Sequence, residues 1–427
     1  MKKNQGRLTY SLFNSVLIGA LPLVAGYVLL RWRRRVIKGL SLGTERWGRL
    51  DQARIDRFKS GRWWWVHAVS VGEVKAIHSF LKQAPDTAGV KIALSLLTPE
   101  ALEWAARHKI ADEIFPAPID LPWIVRRIFK AIHPELFISV ESEFWPNLLR
   151  EARRSGARVA LINGRISERS FRSYRRFRIF LKPLWNTLDL LAVRQPQDAE
   201  RFRALGIPAE KIHVTGNLKY DLVAALPRSD HHNTPVFAKP LVVVGSSREG
   251  EENLLIPALE AARVKFPDIR IIIAPRHLER LEEVEQLLKS RGLAAQRKSV
   301  WAADLKAPYI LWDSMGDLLE AYRQADISVI GGSFVPRGGQ NPIEPAVFGV
   351  PVLFGPSMDN FHGIADRLIR QGGALQVSLS DLAVNLIRLL GDPAERREMG
   401  GKARAAIESG QGATKRTLDI LGDLVRA

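Results

Sequence analysis

Ten short apolar runs set the frame for this chain. Residues 63–69, 91–97, 136–140, 159–162 and 190–193 form a first series, and 241–245, 269–274, 309–312, 327–330 and 352–354 a second. Each run has the length of a strand and is followed by a turn or capping signal and, in most cases, an amphipathic stretch. Thr98-Pro99-Glu100 is a clean example, a capping residue followed by proline at the first helical position. Such alternation of strand and helix favours parallel sheets.

The rhythm fails only between the two series. Residues 222–240 turn proline-rich and polar around Pro227-Arg228-Ser229-Asp230-His231-His232-Asn233-Thr234-Pro235 and read as a linker. A chain of 427 residues favours two domains, and 46% hydrophobic with 25% charged residues suffices to bury a core in each. The expectation is an α/β fold of two Rossmann-like domains facing across a cleft, at 39–221 and 241–427, with no internal repeat.

Residues 1–38 carry a different signal. Leu12 to Leu30 is free of charge and mostly apolar, and at about 1.5 Å per residue it nearly spans a bilayer core. Arg31, Arg33, Arg34, Arg35 and Lys38 follow at once and outnumber Lys2, Lys3 and Arg7. The expectation is an N-terminal membrane anchor helix with the rest of the chain on the cytoplasmic side, a surface-lying amphipathic segment being the alternative. A formal net charge of +18 points to an acidic partner, whether nucleic acid, anionic membrane or phosphorylated substrate. The absence of cysteine excludes disulfides and thiolate metal sites.

Ligands in open parallel sheets gather at the carboxyl ends of strands, so the residues after each run are the candidates for chemistry. After the first, His67-Ala68-Val69-Ser70-Val71-Gly72-Glu73-Val74 offers Glu73 as a base, although Ser70-x-x-Glu73 also has the spacing of a capping box. After the third, Glu141-Ser142-Glu143-Phe144-Trp145 places two carboxylates in one turn, which raise each other's pKa unless cations intervene. Gly216-Asn217-Leu218-Lys219 adds a lysine before the linker.

In the second series, Gly245-Ser246-Ser247-Arg248 and Pro275-Arg276-His277 can meet phosphate oxygens through hydroxyl, backbone and guanidinium donors. The run at 327–330 ends in Gly331-Gly332-Ser333, followed by Arg337-Gly338-Gly339-Gln340-Asn341-Pro342-Ile343-Glu344-Pro345-Ala346. Here Asn341 can cap a helix of about two turns whose free N–H groups suit a phosphate, while Glu344 has the spacing to close a capping box. No tight Asp-x-Asp pair and no His-x-x-x-His pair suggests a catalytic metal.

Between Arg169 and Leu184, Arg172, Arg175, Arg176 and further cations interleave with Phe171, Tyr174, Phe177 and Leu181 at helical spacing. The pattern reads as one helix whose basic face meets an anionic lipid headgroup, with core packing under a solvated rim as the alternative. A membrane segment argues against nucleic acid as the partner.

The ordered set of these motifs resembles the lipid A Kdo transferases, which move 3-deoxy-D-manno-octulosonic acid (Kdo) from CMP-Kdo to lipid A precursor. The likeness rests on the anchor, His67 to Val74, Asp120-Leu121-Pro122-Trp123, Glu141 to Asn147, Asn163-Gly164-Arg165-Ile166-Ser167, Val214 to Asp221, Pro275-Arg276-His277, Gly331-Gly332-Ser333 and Arg337 to Ala346. The family is similar to other two-domain, metal-independent inverting glycosyltransferases of the GT-B type.

The resemblance implies Glu73 as general base and Glu141 with Glu143 as a second acidic site. It implies Arg276, His277, Lys219, Ser333, Asn341 and Glu344 as contacts of CMP-Kdo, with Ser246 and Gly332 beside them. It implies no cofactor, and an anionic inner membrane as a further partner. Gln340 stands where histidine is usual, Gly164 where alanine is usual, and Val193-Arg194-Gln195-Pro196 departs from the usual turn. A membrane transferase using a UDP-sugar, or a non-catalytic binder of anionic lipid or nucleic acid, is the alternative. Thermal protection by CMP or by UDP separates the donors, and tolerance of Glu73 loss marks the binder.

Overall fold

The computed structural model describes residues 14–15, 44–223, 237, 240–300 and 307–426. The chain divides into two compact units, Met1–Ala225 with Gln411–Ala427, and Leu226–Gly410.

In the first unit, seven strands run β1 (Trp63–Ala68), β2 (Lys91–Leu96), β3 (Glu113–Pro116), β4 (Leu136–Val140), β5 (Arg158–Gly164), β6 (Leu190–Val193) and β7 (Ile212–Val214). Their order is β3-β2-β1-β4-β5-β6-β7, and every pairing is parallel. All six residues of β1 are buried. Successive side chains point to opposite faces, so Trp63 and Trp65 pack with Phe115, Phe129 and Phe137, while Trp64 and Val66 pack with Phe80, Leu94 and Ile138.

The second unit repeats the plan with β8 (Leu241–Ser247), β9 (Arg270–Pro275), β10 (Ala295–Arg297), β11 (Tyr309–Leu311), β12 (Ile327–Ile330), β13 (Val352–Phe354) and β14 (Ala374–Gln376). The order is β10-β11-β9-β8-β12-β13-β14, again all parallel. In each sheet the chain fills one side of a central strand, with β11 inserted between β9 and β10 in the second sheet, and then crosses to that strand's other side. The switch falls between β1 and β4 in one unit and between β8 and β12 in the other, the places where this topology opens a crevice.

Three expectations need revision. The second domain was expected to run to residue 427, but the helix Ala413–Arg426 belongs to the first unit. Leu418 and Leu421 enter the core beside Val74, Ile77 and Phe80, and the Asp221 carboxylate accepts from Gly412 N–H at 2.7 Å and from Thr414 N–H at the helix start. The Arg/aromatic segment is two helices, Glu168–Arg176 and Arg178–Trp185, broken at Phe177, whose φ of -104° and ψ of 17° leave the helical region.

The helix after Arg337 is Ile343–Val347, barely more than one turn rather than two. Asn341 sits one residue outside its cap and accepts from Ile343 N–H at 3.2 Å. The proposed anchor at 12–30 lies outside the described residues apart from Asn14 and Ser15, as does most of the linker at 222–240. Among the described residues no helix is long and apolar enough to cross a membrane.

Candidate active site

The switch point of the first sheet brings Glu73, Glu141 and Glu143 together. Ser70 leaves β1 in extended conformation and caps the helix Val71–Ala76, its hydroxyl accepting from Glu73 N–H at 3.4 Å and donating to Glu73 Oε1 at 3.0 Å. Glu73 Oε2 reaches one residue past the cap and accepts from Val69 N–H at 2.8 Å. The capping geometry is therefore present, and it fixes the carboxylate at the end of the strand. Burial pushes this carboxyl up to about 7, the Val69 N–H opposes the rise, and the charges of Glu143 and Glu141 add to it. A carboxylate so poised can take a proton from a hydroxyl near neutral pH.

Glu141 takes the opposite course. Its φ of 58° is unusual for a residue with a side chain and turns the chain sharply at the end of β4. Burial would raise its carboxyl, but Arg194, Lys219 and Arg165 outweigh burial and hold it below the usual carboxylate range. Arg165 Nε stands 2.9 Å from Oε2, Arg194 pairs with Oε1, and Lys219 Nζ lies 3.9 Å from Oε1. Glu143, in contrast, is pushed up by burial and by Glu141, against a bond from Trp145 Nε1 at 2.8 Å. Neighbouring carboxyls driven apart in this way are candidates for acid–base roles: the cations favour the ionised form of Glu141, while burial favours the protonated forms of Glu73 and Glu143.

Arg194 is the member that sequence reasoning missed, noting it only as a departure in a turn. It is largely buried just after the carboxyl end of β6, its side chain 12% exposed, and spends Nε on the Asn163 carbonyl at 3.1 Å. The usable signal was its position, a basic residue directly after a strand. Burial and the nearby Arg194 and Arg165 charges bring the Lys219 ammonium down to about 8, against the pull of Glu141.

Behind these residues, Trp65 Nε1 donates to Ser95 Oγ at 2.8 Å, and Ser95 Oγ lies 2.9 Å from His67 Nδ1. His67 is wholly buried and its pKa falls to about 3, so it is a neutral ring, packed edge-to-face on Trp145 at 4.8 Å. Trp145 also lines a mostly apolar cavity of about 390 Å³ with Arg46, Leu97, Ile119 and Phe144, at the same edge of the sheet. From the outer side, Tyr174 of the helix Glu168–Arg176 approaches Phe144 at 6.3 Å between ring centroids, and its hydroxyl is pushed up by burial and by Glu143. On that helix Arg172 pairs with Glu168 at 3.1 Å, Arg175 lies over Phe171 at 5.8 Å, and Arg176 is exposed.

The second unit assembles a different surface at its own switch point. Ser246, with φ 59°, forms a bulge in β8 that turns Arg248 toward β9. Arg248 donates to His277 Nε2 at 2.9 Å, and its guanidinium pKa is lowered by burial and by the Arg276 and Arg337 charges. With its amide oxygen facing the guanidinium, Gln340 accepts from Arg248 Nε and Nη2, both at 3.2 Å. A buried Glu251 ties the switch point together, accepting from the N–H groups of Arg248 at 3.0 Å, Gly332 at 2.6 Å and Phe334 at 2.9 Å.

Ser333 is wholly buried, with its hydroxyl donating to Ile330 O at 2.5 Å and accepting from Gly355 N–H at 2.8 Å. It braces β12 against β13, which leaves its hydroxyl already engaged. Asn341 Nδ2 donates to Glu344 Oε1 at 3.1 Å, so Glu344 meets the asparagine side chain rather than its backbone. Arg248, Arg276 and Arg337 thus form a cationic rim, with His277 beside it, over a glycine-lined backbone, suited to phosphate.

Comparison with known proteins agrees with this geometry. The family described as 3-Deoxy-D-manno-octulosonic-acid transferase (kdotransferase) matches residues 43–222. The 3-deoxy-D-manno-octulosonic acid transferase of Haemophilus influenzae is 32% identical over 366 residues, covering 83% of this chain and 86% of that protein. This chain belongs to that transferase family. The Bordetella pertussis transferase of the same name is 35% identical over 84% of this chain and 86% of its own.

Among solved structures, UDP-GlcNAc 2-epimerase from Neisseria meningitidis bound to UDP-GlcNAc matches with a TM-score of 0.59 at 12% identity, over 84% of this chain and 99% of that one. A glycosyltransferase from Rickettsia africae matches with a TM-score of 0.57 at 13% identity, over 85% and 98%. At such identities these two speak for the fold alone, two parallel α/β domains of GT-B type.

Proposed function

We propose that this member of the Kdo transferase family moves Kdo from CMP-Kdo to a hydroxyl of lipid A precursor (lipid IVA), in one metal-independent displacement that inverts the anomeric carbon. The observation that carries the mechanism is the Glu73 carboxyl, raised to about 7 and held by the Val69 N–H and the Ser70 hydroxyl at the carboxyl end of β1. Glu73 removes the proton of the attacking hydroxyl as the new bond to the anomeric carbon forms. The bond from that carbon to the CMP phosphate breaks, and its electron pair leaves with CMP. Arg248, Arg276 and His277 of the second unit receive the charge that gathers on the phosphate, with Ser246, Gly332, Asn341 and Glu344 around the nucleotide. Glu344 is the ribose contact in this reading.

The reaction takes place, in this reading, at the cytoplasmic face of the bacterial inner membrane. Exposed Trp47, Trp123, Phe177 and Ile179, together with Arg172, Arg175 and Arg176, supply apolar and cationic groups for an anionic bilayer and complement the segment 12–30. The test is product analysis with the purified chain, CMP-Kdo and lipid A precursor. Transfer of Kdo with release of CMP is expected; a UDP-sugar accepted in place of CMP-Kdo, or no transfer from either, overturns the proposal. Flotation with anionic vesicles, with and without residues 1–38, tests the location separately.

A further inference from the structure

The apolar cavity beside Trp145 takes no part in the proton transfer assigned to Glu73. At about 390 Å³ it has the size of a small-ligand site, and Leu97, Ile119, Phe144, Trp145 and Pro146 form its walls. Its two ionisable members, Arg46 and Asp120, are turned to other partners. Asp120 serves the helix Pro146–Arg154, accepting from Asn147 N–H at 3.1 Å and Leu148 N–H at 2.8 Å. Arg46 donates through Nη2 to the Leu97 carbonyl, while its Nε is buried and meets no acceptor among the described residues. No carboxylate among them pairs with this guanidinium, and burial lowers its pKa.

The surroundings of the cavity suit lipid. Trp47 and Trp123 are 51% and 56% exposed. They leave adjoining stretches of backbone: a Cβ at Gly48 would lie 3.0 Å from the Ile124 carbonyl oxygen, and Ile119 N–H donates to the Arg46 carbonyl at 3.0 Å. Indole rings exposed in this way, apolar with a single N–H, belong at the boundary between water and lipid. Asn147, directly after Pro146 of the cavity wall, donates through Nδ2 to Asn14 Oδ1 at 2.7 Å. Asn14 stands within the charge-free run Leu12 to Leu30, so that run touches the first unit at the edge of the cavity.

An acceptor that carries fatty chains must present its hydroxyl to Glu73 while the chains find apolar cover. Trp145 links the two places: its ring lines the cavity, its Nε1 donates to Glu143 at 2.8 Å, and the charge of Glu143 acts on Glu73. We propose that this cavity binds one fatty acyl chain of the acceptor, with Arg46 Nε donating to an oxygen at the polar end of that chain. This inference rests on the acceptor reading under Proposed function and adds the element of the first unit that reads the chains. Binding grows with the apolar area taken from water, so a chain that fills the cavity is preferred to a shorter one. A bulky side chain placed in the cavity competes with it.

The experiment measures KM for lipid A precursor and for the same molecule stripped of its acyl chains, in wild type, Ile119→Trp and Arg46→Gln. Ile119 is only partly buried, so the larger ring can fill the cavity without entering the core. Wild type should show a KM about 10- to 100-fold higher for the stripped acceptor, the worth of a few buried methylenes. Ile119→Trp should raise the KM for lipid A precursor toward that value and leave the stripped acceptor and the Ki of CMP within about twofold of wild type. Arg46→Gln, which removes the Nε donor, should raise the KM for lipid A precursor alone by about 3- to 10-fold. Should Ile119→Trp lose its melting transition, Arg46→Gln on the two acceptors decides.

Equal losses on both acceptors would give the cavity to another part of this chain, the run 12–30 included, and overturn the proposal. So would equal KM values for the two acceptors in wild type, or a wild-type KM for lipid A precursor in a folded Ile119→Trp protein. Failure of the acceptor reading itself is distinct, because wild type would then transfer Kdo to neither acceptor.

Discussion

Val69 and Glu73 close a ring at the end of β1, the Val69 N–H donating to Glu73 Oε2 at 2.8 Å. The sequence presents capping and catalysis at this residue as rival readings, because one spacing serves both. In the folded chain the capping bonds are present, and they hold the carboxylate where the proposed base would stand. The bonds from Val69 and Ser70 fix the carboxylate in place, and burial raises its proton affinity. A base held by its support needs no reorganisation when substrate binds.

Replacing Glu73 with glutamine separates the two contributions. The amide oxygen can keep one of the two bonds, and the variant no longer buries an ionisable group, so stability should change by about 1 kcal/mol or less. An amide cannot take a proton. The expected outcome is a melting temperature and CMP affinity near wild type, with kcat lower by at least about a hundredfold. Turnover near wild type would reduce Glu73 to a cap and move the search to Glu143, whose carboxyl is also raised.

The same residue predicts opposite pH slopes for activity and stability. Glu73 must be ionised to act, so kcat/KM should rise as pH passes through about 7. Its folded-state pKa lies above the ordinary carboxylate value, so the folded chain binds the proton more tightly than the unfolded one. That contribution to stability is complete below about 4.5 and is lost as pH rises through about 7. Wild type should therefore lose melting temperature relative to Glu73→Gln between about pH 4.5 and 7, the window set by those two pKa values. Parallel curves for the two proteins across that range would remove the raised pKa from the account.

The fold was legible where strands are buried on both faces. The ten apolar runs correspond to β2, β1, β4, β5 and β6 of the first sheet and β11, β9, β8, β12 and β13 of the second, the interior strands. The four strands left unread, β3, β7, β10 and β14, are the sheet edges. They are three or four residues long and carry polar groups, as in Glu-Ile-Phe-Pro at 113–116 and Ala-Gln-Arg at 295–297, so no continuous apolar run announces them. The rule that ligands meet the carboxyl ends of strands singled out Glu73, Glu141, Arg276 and His277, and these residues do follow β1, β4 and β9. It could not find Glu251, whose place at a helix start reads as ordinary charge pairing with the helix dipole, because its partners Gly332 and Phe334 are some eighty residues away. The return of the helix Ala413–Arg426 to the first unit has the same cause, its amphipathic pattern being silent about which core it covers.

Removing the Glu141 charge should damage stability before chemistry. Glu141→Gln leaves Arg194 buried without its counter-ion, and breaking a buried pair from one side costs about 3–5 kcal/mol. Denaturant unfolding of the variant should show that loss in the midpoint. Shortening both partners, in Glu141→Ala with Arg194→Leu, should recover part of it, because the most buried cation goes with its partner while Arg165 and Lys219 remain. A single variant as stable as wild type would mean that water already screens Arg194.

Gly245 tests the second switch point, since the end of β8 must pass against Tyr322. A methyl group at Gly245 would lie 1.6 Å from Tyr322 Oη and 2.6 Å from Cζ. Tyr322 cannot swing aside cheaply: it is 2% exposed and packed with Trp312, Phe237 and Ala321. Gly245→Ala should therefore cost at least the 1–3 kcal/mol typical of an overpacked core. The strand end that is displaced carries Ser246 and Arg248, so CMP affinity should fall together with stability, while the bonds around Glu73 in the first unit stay intact. Adding Tyr322→Phe removes the nearer clash but leaves Cζ too close, so recovery should be partial in both readouts. Calorimetry of the two variants, each titrated with CMP, checks this, and a Gly245→Ala protein with wild-type stability and affinity would show that the backbone of β8 yields at this point.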